Sequence, residues 1–507
     1  MKKNFFIAAL LVALPCSMHA QSDDFKVAKS IDLYFSVLRE LSLYYVDSIQ
    51  LENLVNVSIE AMLKELDPYT EYVSAEDADA FDFAITGAYG GIGAIIRKHN
   101  DGIEISEPYR DYPADKAGLV PGDCILEIEG QSTKNMDVQT ASNQLKGPLG
   151  NIITLTVRKL KTGDTIRLPL TRERIHISDV DYYGILKDSI GYIHLNAFTK
   201  GGSRDVAEAF KALKKTKKMK SLIFDLRSNG GGALDEAVNI TGLFVPRGTT
   251  VVEARGRLKD FDARYVTKET PLDTDIPIVV LVNNMSASSS EIVTGAIQDL
   301  DRGVIVGTRT FGKGLVQSVR DIGFNAKLKI TTAKYYTPSG RCVQIVDYSH
   351  RREDGSVGNI PDSLIKAFKT RNGRTVYDGG GITPDIVIET PAYHKISYLL
   401  ATRGLFRSYA ILYSTTHERI APPETFRLTD KEYEAFLQYL SGKDFDDKDA
   451  ELTTYKSEVQ ELLEQEICSI YYYQEGSLRN ELPRDEQVSK ALEVLGNKAE
   501  YRKILNR

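Results

Sequence analysis

Ile278-Val-Val-Leu-Val282, Asn283-Asn-Met-Ser286-Ala-Ser288-Ser289-Ser290-Glu291 and the segment from Ile292 to Leu300 form one continuous unit of this 507-residue chain. A short unbroken run of β-branched and leucine residues marks a strand buried on both faces, and the spacing of Ile292, Ala296, Ile297 and Leu300 predicts a helix. The serines therefore sit on the turn from a buried strand into a helix. Such a turn presents a side chain at the strand's end and aims backbone N–H groups at any charge that develops there. Ser288 with Glu291 three positions on also reads as a capping box, in which the serine only satisfies helix donors. Downstream, Val304-Ile-Val-Gly307 predicts a further strand, and Thr310-Phe-Gly-Lys313-Gly-Leu-Val-Gln317 sets a lysine between two glycines in apolar company. A lysine that stays in water has little reason to be there.

A lysine accepts a proton only when neutral, and at its ordinary pKa of about 10.4 only about 0.04% is neutral at pH 7. Bringing the pKa near 7 takes roughly 3 units, or roughly 4 kcal/mol of differential desolvation, which buried lysines reach. Gln317 can hold such an amine without adding a charge. In an ideal strand the two residues share a face but lie about 13 Å apart, so contact needs the bend that Gly312 and Gly314 permit.

Together, in this order and at this spacing, the serine and lysine segments resemble the carboxyl-terminal processing (tail-specific) serine proteases, over roughly residues 27 to 390. Ser289 stands where alanine is usual. The resemblance implies a multidomain α/β chain: a ClpP/crotonase-like α/β protease core with an inserted β-rich PDZ domain and flanking helical N- and C-terminal regions. It implies Ser288 as nucleophile, Lys313 as base and Gln317 as the partner that orients the lysine. One oxyanion donor would be the N–H of Ser289. The other would come from Asp225-Leu-Arg-Ser-Asn-Gly-Gly231-Gly232, as the N–H of Gly231 or Gly232; a plain helix-start turn is the competing reading of those glycines. The expected divisions are a signal peptide at 1–20, a helical region at 21–85, the PDZ domain at 86–160, the core at 161–390 and a mainly helical region at 391–507.

Gly90, Gly91, Ile92 and Gly93 open a β-rich module that runs on through Ala117-Gly-Leu119 and Pro121-Gly-Asp123. Glycines this dense before a strand form a nest of N–H groups suited to a carboxylate, and an extended peptide can add beside them as a strand. The module resembles a PDZ domain with these four residues as its carboxylate loop. A phosphate loop is disfavoured because no Gly-Lys-Ser/Thr follows.

Met1-Lys-Lys3, the apolar run from Phe5 to Leu14 and Cys16-Ser-Met-His-Ala20 read as a secretory signal peptide cut after Ala20, which directs export, with the periplasm as destination. An uncleaved anchor is the alternative. Losing Lys2 and Lys3 moves the net charge from −6 to −8, which argues against nucleic acid as a partner. The lysines between Lys211 and Lys220 read as a solvated helix face. Cys124, Cys342 and Cys468 are too few and too far apart for a disulfide framework, and no His-Glu-x-x-His occurs, so no zinc site is proposed. The expected chemistry needs neither metal nor nucleotide cofactor.

Two amphipathic stripes, Ile31 to Leu41 and Leu54 to Leu66, predict helices that pack simply into a core, where the resemblance implies a dimerising or packing helical segment; for the helical tail from about Tyr393, packing against the core is expected, with homo-oligomer formation as the alternative. Asp299 lies eleven residues past Ser288 on the same helix face, about 16 Å along the axis, and is expected to support the fold. His194 alternates with apolar neighbours in a strand, which disfavours a Ser-His-Asp hydrolase. The expected function is an exported serine endopeptidase that takes protein substrates by apolar C-termini. A catalytically silent PDZ adaptor is the rival, and an acyl-CoA enzyme on a similar fold a third reading.

Overall fold

The computed structural model describes residues 17–78, 81, 88–187, 189–443 and 449–507. The expected leader lies outside them up to residue 16. The chain divides into two compact units, one of residues 1–74 with 319–330, the other of residues 75–318 with 331–507. In the first, the helices Ser17–Tyr44 and Leu51–Lys64 are followed by the strand Glu71–Val73, which pairs antiparallel with Lys327–Lys329. The stripes on these helices do not pack as expected. Leu51–Lys64 has no buried side chain, and Ile31, Phe35, Leu54 and Val57 are all exposed.

The second unit is built on a six-stranded sheet ordered by residues 180–186, 190–195, 221–225, 278–282, 304–307 and 386–387. Its first pair is antiparallel and the rest are parallel. Side chains alternate across a strand, so Ile278, Val280 and Val282 face one side and Val279 and Leu281 the other. The first set packs on the helices Gly202–Lys215, Leu234–Gly242 and Ser289–Asp299 through Phe210, Ile240 and Ala296. The second set packs on C-terminal helices Glu486–Gly496 and Lys498–Ile504 through Val488, Val494 and Tyr501. A sheet covered on both faces is what its unalternating apolar strands require. The far C-terminal segment is thus one layer of the α/β core, while Lys395–Thr402, Leu405–Thr416, Asp430–Ser441 and Lys456–Glu481 hold a separate helical core around Phe436 and Ile467.

The β-rich module closes around Ile103, Ile125, Leu155 and Val157. Its sheet passes the expected boundary at 160, because Thr165–Thr171 pairs with Ile152–Arg158. Ala94–His99 is an edge strand, paired only with Gly102–Pro108 among the described residues. The segment from 347 to 377 is two small hairpins, Val346–Arg351 with Val357–Asn359 and Ala367–Lys369 with Thr375–Tyr377. Cys124, Cys342 and Cys468 are free thiols, and no helix among the described residues is long and apolar enough to cross a membrane.

Candidate active site

Ser288 ends the strand-to-helix turn as the N-cap of Ser289–Asp299, half-buried, with φ 54° and ψ −112°. A non-glycine residue there is strained, and such outliers gather at functional sites because the surrounding fold must hold them. What holds it is the neighbouring glycine turn. Ala287 N donates to Asn229 O (3.0 Å), Ser290 Oγ to Asn229 O (2.8 Å), Ser289 Oγ to Gly232 O (2.9 Å) and Ser286 Oγ to Leu226 O (2.8 Å). Each serine around Ser288 is thereby bonded to the segment Leu226–Gly232, which brings the two expected oxyanion turns side by side.

Gly231 is the closest of these approaches. A Cβ on it would lie 2.8 Å from Ser288 Cβ and 2.9 Å from Ser289 N, and its φ is +96°. Its own N–H donates to Asn229 Oδ1 (2.9 Å), so of the two glycines named from the sequence, Gly231 already has an acceptor within the turn. Gly232 follows, exposed, with its backbone bridged to Phe198. Gly231→Ala is expected to displace Ser288 and to slow any reaction that runs through this serine by roughly 100-fold, the effect of about 1 Å of misplacement. A Cβ on Gly230 meets nothing within 4 Å, so Gly230→Ala, assayed beside it, should stay within a few-fold of wild type.

The turn is anchored beneath by ions. Arg227 pairs with Asp225 (2.6 Å) and with Asp485 (2.5 Å), the N-cap of Glu486–Gly496, and Tyr192 donates to Asp225 (2.7 Å). Asp225 is fully buried; despite that burial, the Arg227 guanidinium holds its carboxyl below the usual range.

Lys313 enters on the far side, half-buried, in a loop that precedes the strand Leu315–Gly323. Gly312 has φ +88°. Phe311 N donates to Ser286 O (3.1 Å), tying the lysine loop to the serine segment. Phe311 and Met285 stand exposed on these two segments. Gln317 Nε2 donates to Thr331 Oγ1 (3.1 Å), which sets the orientation of its amide. His194 pairs instead with Asp181 (3.3 Å), and Asp299 with Arg341 (2.8 Å).

Two residues of the site carry more than their sequence reading gave them. Glu291 is fully buried, and its carboxylate accepts four bonds: Ser288 N (3.0 Å), Lys313 N (2.8 Å), Gly312 N (2.7 Å) and Thr310 Oγ1 (2.7 Å). Burial pushes its carboxyl up to about 7, against the opposing pull of those bonds. Tyr335, 1% exposed, shares its single hydroxyl proton between Lys313 O (2.6 Å) and Ser288 O (3.1 Å). Glu291 was visible as the end of a capping box. Tyr335, in the strand Ala326–Tyr336, was not singled out from the sequence.

In the PDZ module, Gly90 and Gly91 lie in the strand Ala88–Gly91, paired with Arg174 and Glu173, so the four expected residues are not one nest. The loop proper is Ile92 and Gly93. Ile92 is buried in the module's core, Gly93 has φ +73°, and the edge strand Ala94–His99 starts at once after them, packed beside the helix Val138–Leu145.

Comparison with known proteins adds the following. Residues 189–348 match Peptidase family S41, residues 104–159 a PDZ domain, and residues 396–447 and 445–495 the C-terminal helical domain of a probable PDZ-protease. A carboxy-terminal-processing protease of Bartonella bacilliformis is 33% identical over 410 residues, 80% of this chain and 86% of that protein. A probable CtpA-like serine protease of Staphylococcus aureus is 33% identical over 355 residues, 69% of this chain and 63% of that protein. Among solved structures, a photosystem II D1 C-terminal processing protease is 25% identical with a TM-score of 0.37, covering 69% of this chain and 86% of that one.

Proposed function

Since this chain belongs to peptidase family S41, among the carboxy-terminal-processing serine proteases, we propose that Ser288 and Lys313 are the dyad with which it cuts peptide bonds. The observation that carries the reading is the strained Ser288 at the head of a helix, laced to the glycine turn on one side and to the lysine loop on the other. Lys313 Nζ takes the proton of Ser288 Oγ as that oxygen bonds to the scissile carbonyl carbon. The carbonyl electrons move onto oxygen, and the N–H groups of Ser289 and Gly232 stabilise the charge. The protonated amine then gives its proton to the leaving nitrogen as the C–N bond breaks, and water releases the acyl-enzyme by the same route. The Gln317 carbonyl orients the amine while its amide is held by Thr331.

The PDZ module binds peptide. The proposed occupant is an extended substrate C-terminus lying along the edge of Ala94–His99, its carboxylate at Ile92 and Gly93 and an apolar side chain toward Val138–Leu145. Export follows from the leader read at residues 1–20. The adaptor reading keeps the same groove but predicts no cleavage. Lys313→Ala should abolish cleavage of an apolar-tailed protein at pH 7 while leaving peptide binding within a few-fold of wild type. Equal cleavage rates for the variant and the wild type would remove Lys313 from the dyad.

A further inference from the structure

We infer that Glu291 and Tyr335 are the two jaws of a backbone clamp that sets the separation of Ser288 and Lys313. This rests on the dyad reading above. A nucleophile and base carried on different segments need a device that fixes one against the other, and side-chain contacts alone leave both backbones free to drift. Here both backbones are held at both of their polar groups. Glu291 Oε2 accepts the N–H of Ser288 and the N–H of Lys313, while the Tyr335 hydroxyl addresses the C=O of the same two residues. The remaining carboxylate oxygen, Oε1, is held by Gly312 N and Thr310 Oγ1, so the acid is itself fixed. Tyr335 is fixed from its own side, its N–H bonded to Gly314 O at 3.0 Å. Three elements thus converge: the helix that Ser288 caps, the loop 310–314 and the strand Ala326–Tyr336. Neither jaw touches the scissile bond. They are positioning residues.

The acid jaw responds to pH. As an anion, Glu291 accepts all four bonds; once protonated, with the proton on Oε1 toward Thr310 Oγ1, it presents a donor beside the Gly312 N–H and accepts from Ser288 N and Lys313 N only as a neutral carbonyl, and the clamp loosens. Its neighbours are Lys313 from the loop, the Tyr335 phenol from the strand and the Cys342 thiol beyond it, which burial keeps protonated at neutral pH. The carboxyl, lifted to about 7 by desolvation, loses its proton as pH rises, so closure adds its own ascending limb to the rate profile. Thr310 supplies the largest of the opposing pulls, so Thr310→Val should move that limb to higher pH.

The test is made on the full chain with a protein substrate, following kcat, KM and the rate of Ser288 labelling by a fluorophosphonate, each per folded molecule. Tyr335→Phe should lower kcat and the labelling rate at least 10-fold together, with KM within about 3-fold; Thr310→Val should shift the ascending limb alkaline. Wild-type kcat per folded Tyr335→Phe molecule together with an unmoved limb in Thr310→Val overturns the clamp. Should Tyr335→Phe not fold, the position of the Thr310→Val limb decides alone. Ser288→Ala, assayed in parallel, separates the two claims: if it still cleaves, the dyad reading fails, whereas a dead Ser288→Ala with unaltered Tyr335→Phe and Thr310→Val sinks only the clamp.

Discussion

Ser288→Ala is expected to lower kcat by about 10⁴- to 10⁶-fold, the range found when a serine nucleophile is removed and only binding and oxyanion contacts remain. The same position should show a cost in stability that has nothing to do with the missing hydroxyl. At φ 54° and ψ −112°, any residue with a Cβ is strained. Alanine keeps that strain and glycine does not. Ser288→Gly should therefore be as inactive as Ser288→Ala yet more stable than it by about 1 kcal/mol, read from the denaturant midpoint at constant slope. Activity is what discriminates a nucleophile from an ordinary cap, because glycine is better tolerated than alanine at this position under either reading. If Ser288 were only a helix cap, Ser288→Ala would cost about 1 kcal/mol of stability and leave proteolysis intact.

How far the chain could be read in advance follows the physics of each signal. Ile278–Val282 emerged at its expected bounds because five consecutive apolar residues admit no solvent-facing alternative. The serine and lysine segments were legible because their types are unusual in apolar settings. Tyr335 was not: a tyrosine in a strand is a common observation, and what matters is a hydroxyl meeting two carbonyls distant in sequence. The PDZ loop erred in the opposite direction. Four glycine-rich residues suggested one nest, but Gly90 and Gly91 are recruited into pairing with Arg174 and Glu173, whose position no local pattern discloses. The exposed apolar stripe of Leu51–Lys64 failed for a related reason, because amphipathicity states which face wants burial and is silent about what will cover it.

Asp299→Ala should cost about 3–5 kcal/mol, the penalty for removing one partner of a buried ion pair and leaving the other charge uncompensated. Both side chains of the pair with Arg341 are essentially inaccessible, 0% and 1% exposed. Asp299 also accepts from Thr337 Oγ1 (2.5 Å) and Ser339 N (3.0 Å), so it pins the turn that follows the strand carrying Tyr335. Arg341 is further held by Gln298 Oε1 (2.7 Å), which is not enough to neutralise it. Activity should fall in this variant, and the cause is distinguishable from chemistry. With Asp299 about 16 Å from Ser288 along the helix, the loss should come through the folded fraction. A stabilising osmolyte, which favours burial by exclusion from the surface, should then restore cleavage by Asp299→Ala toward wild type and do nothing for Ser288→Ala. Replacing both partners, Asp299→Leu with Arg341→Met, should recover much of the lost stability, because the buried charge goes with its counter-ion. An Asp299→Ala protein that is as stable as wild type but inactive would instead give this acid a role in the reaction, acting on Ser288 and Lys313 through the Thr337–Arg341 turn and Tyr335.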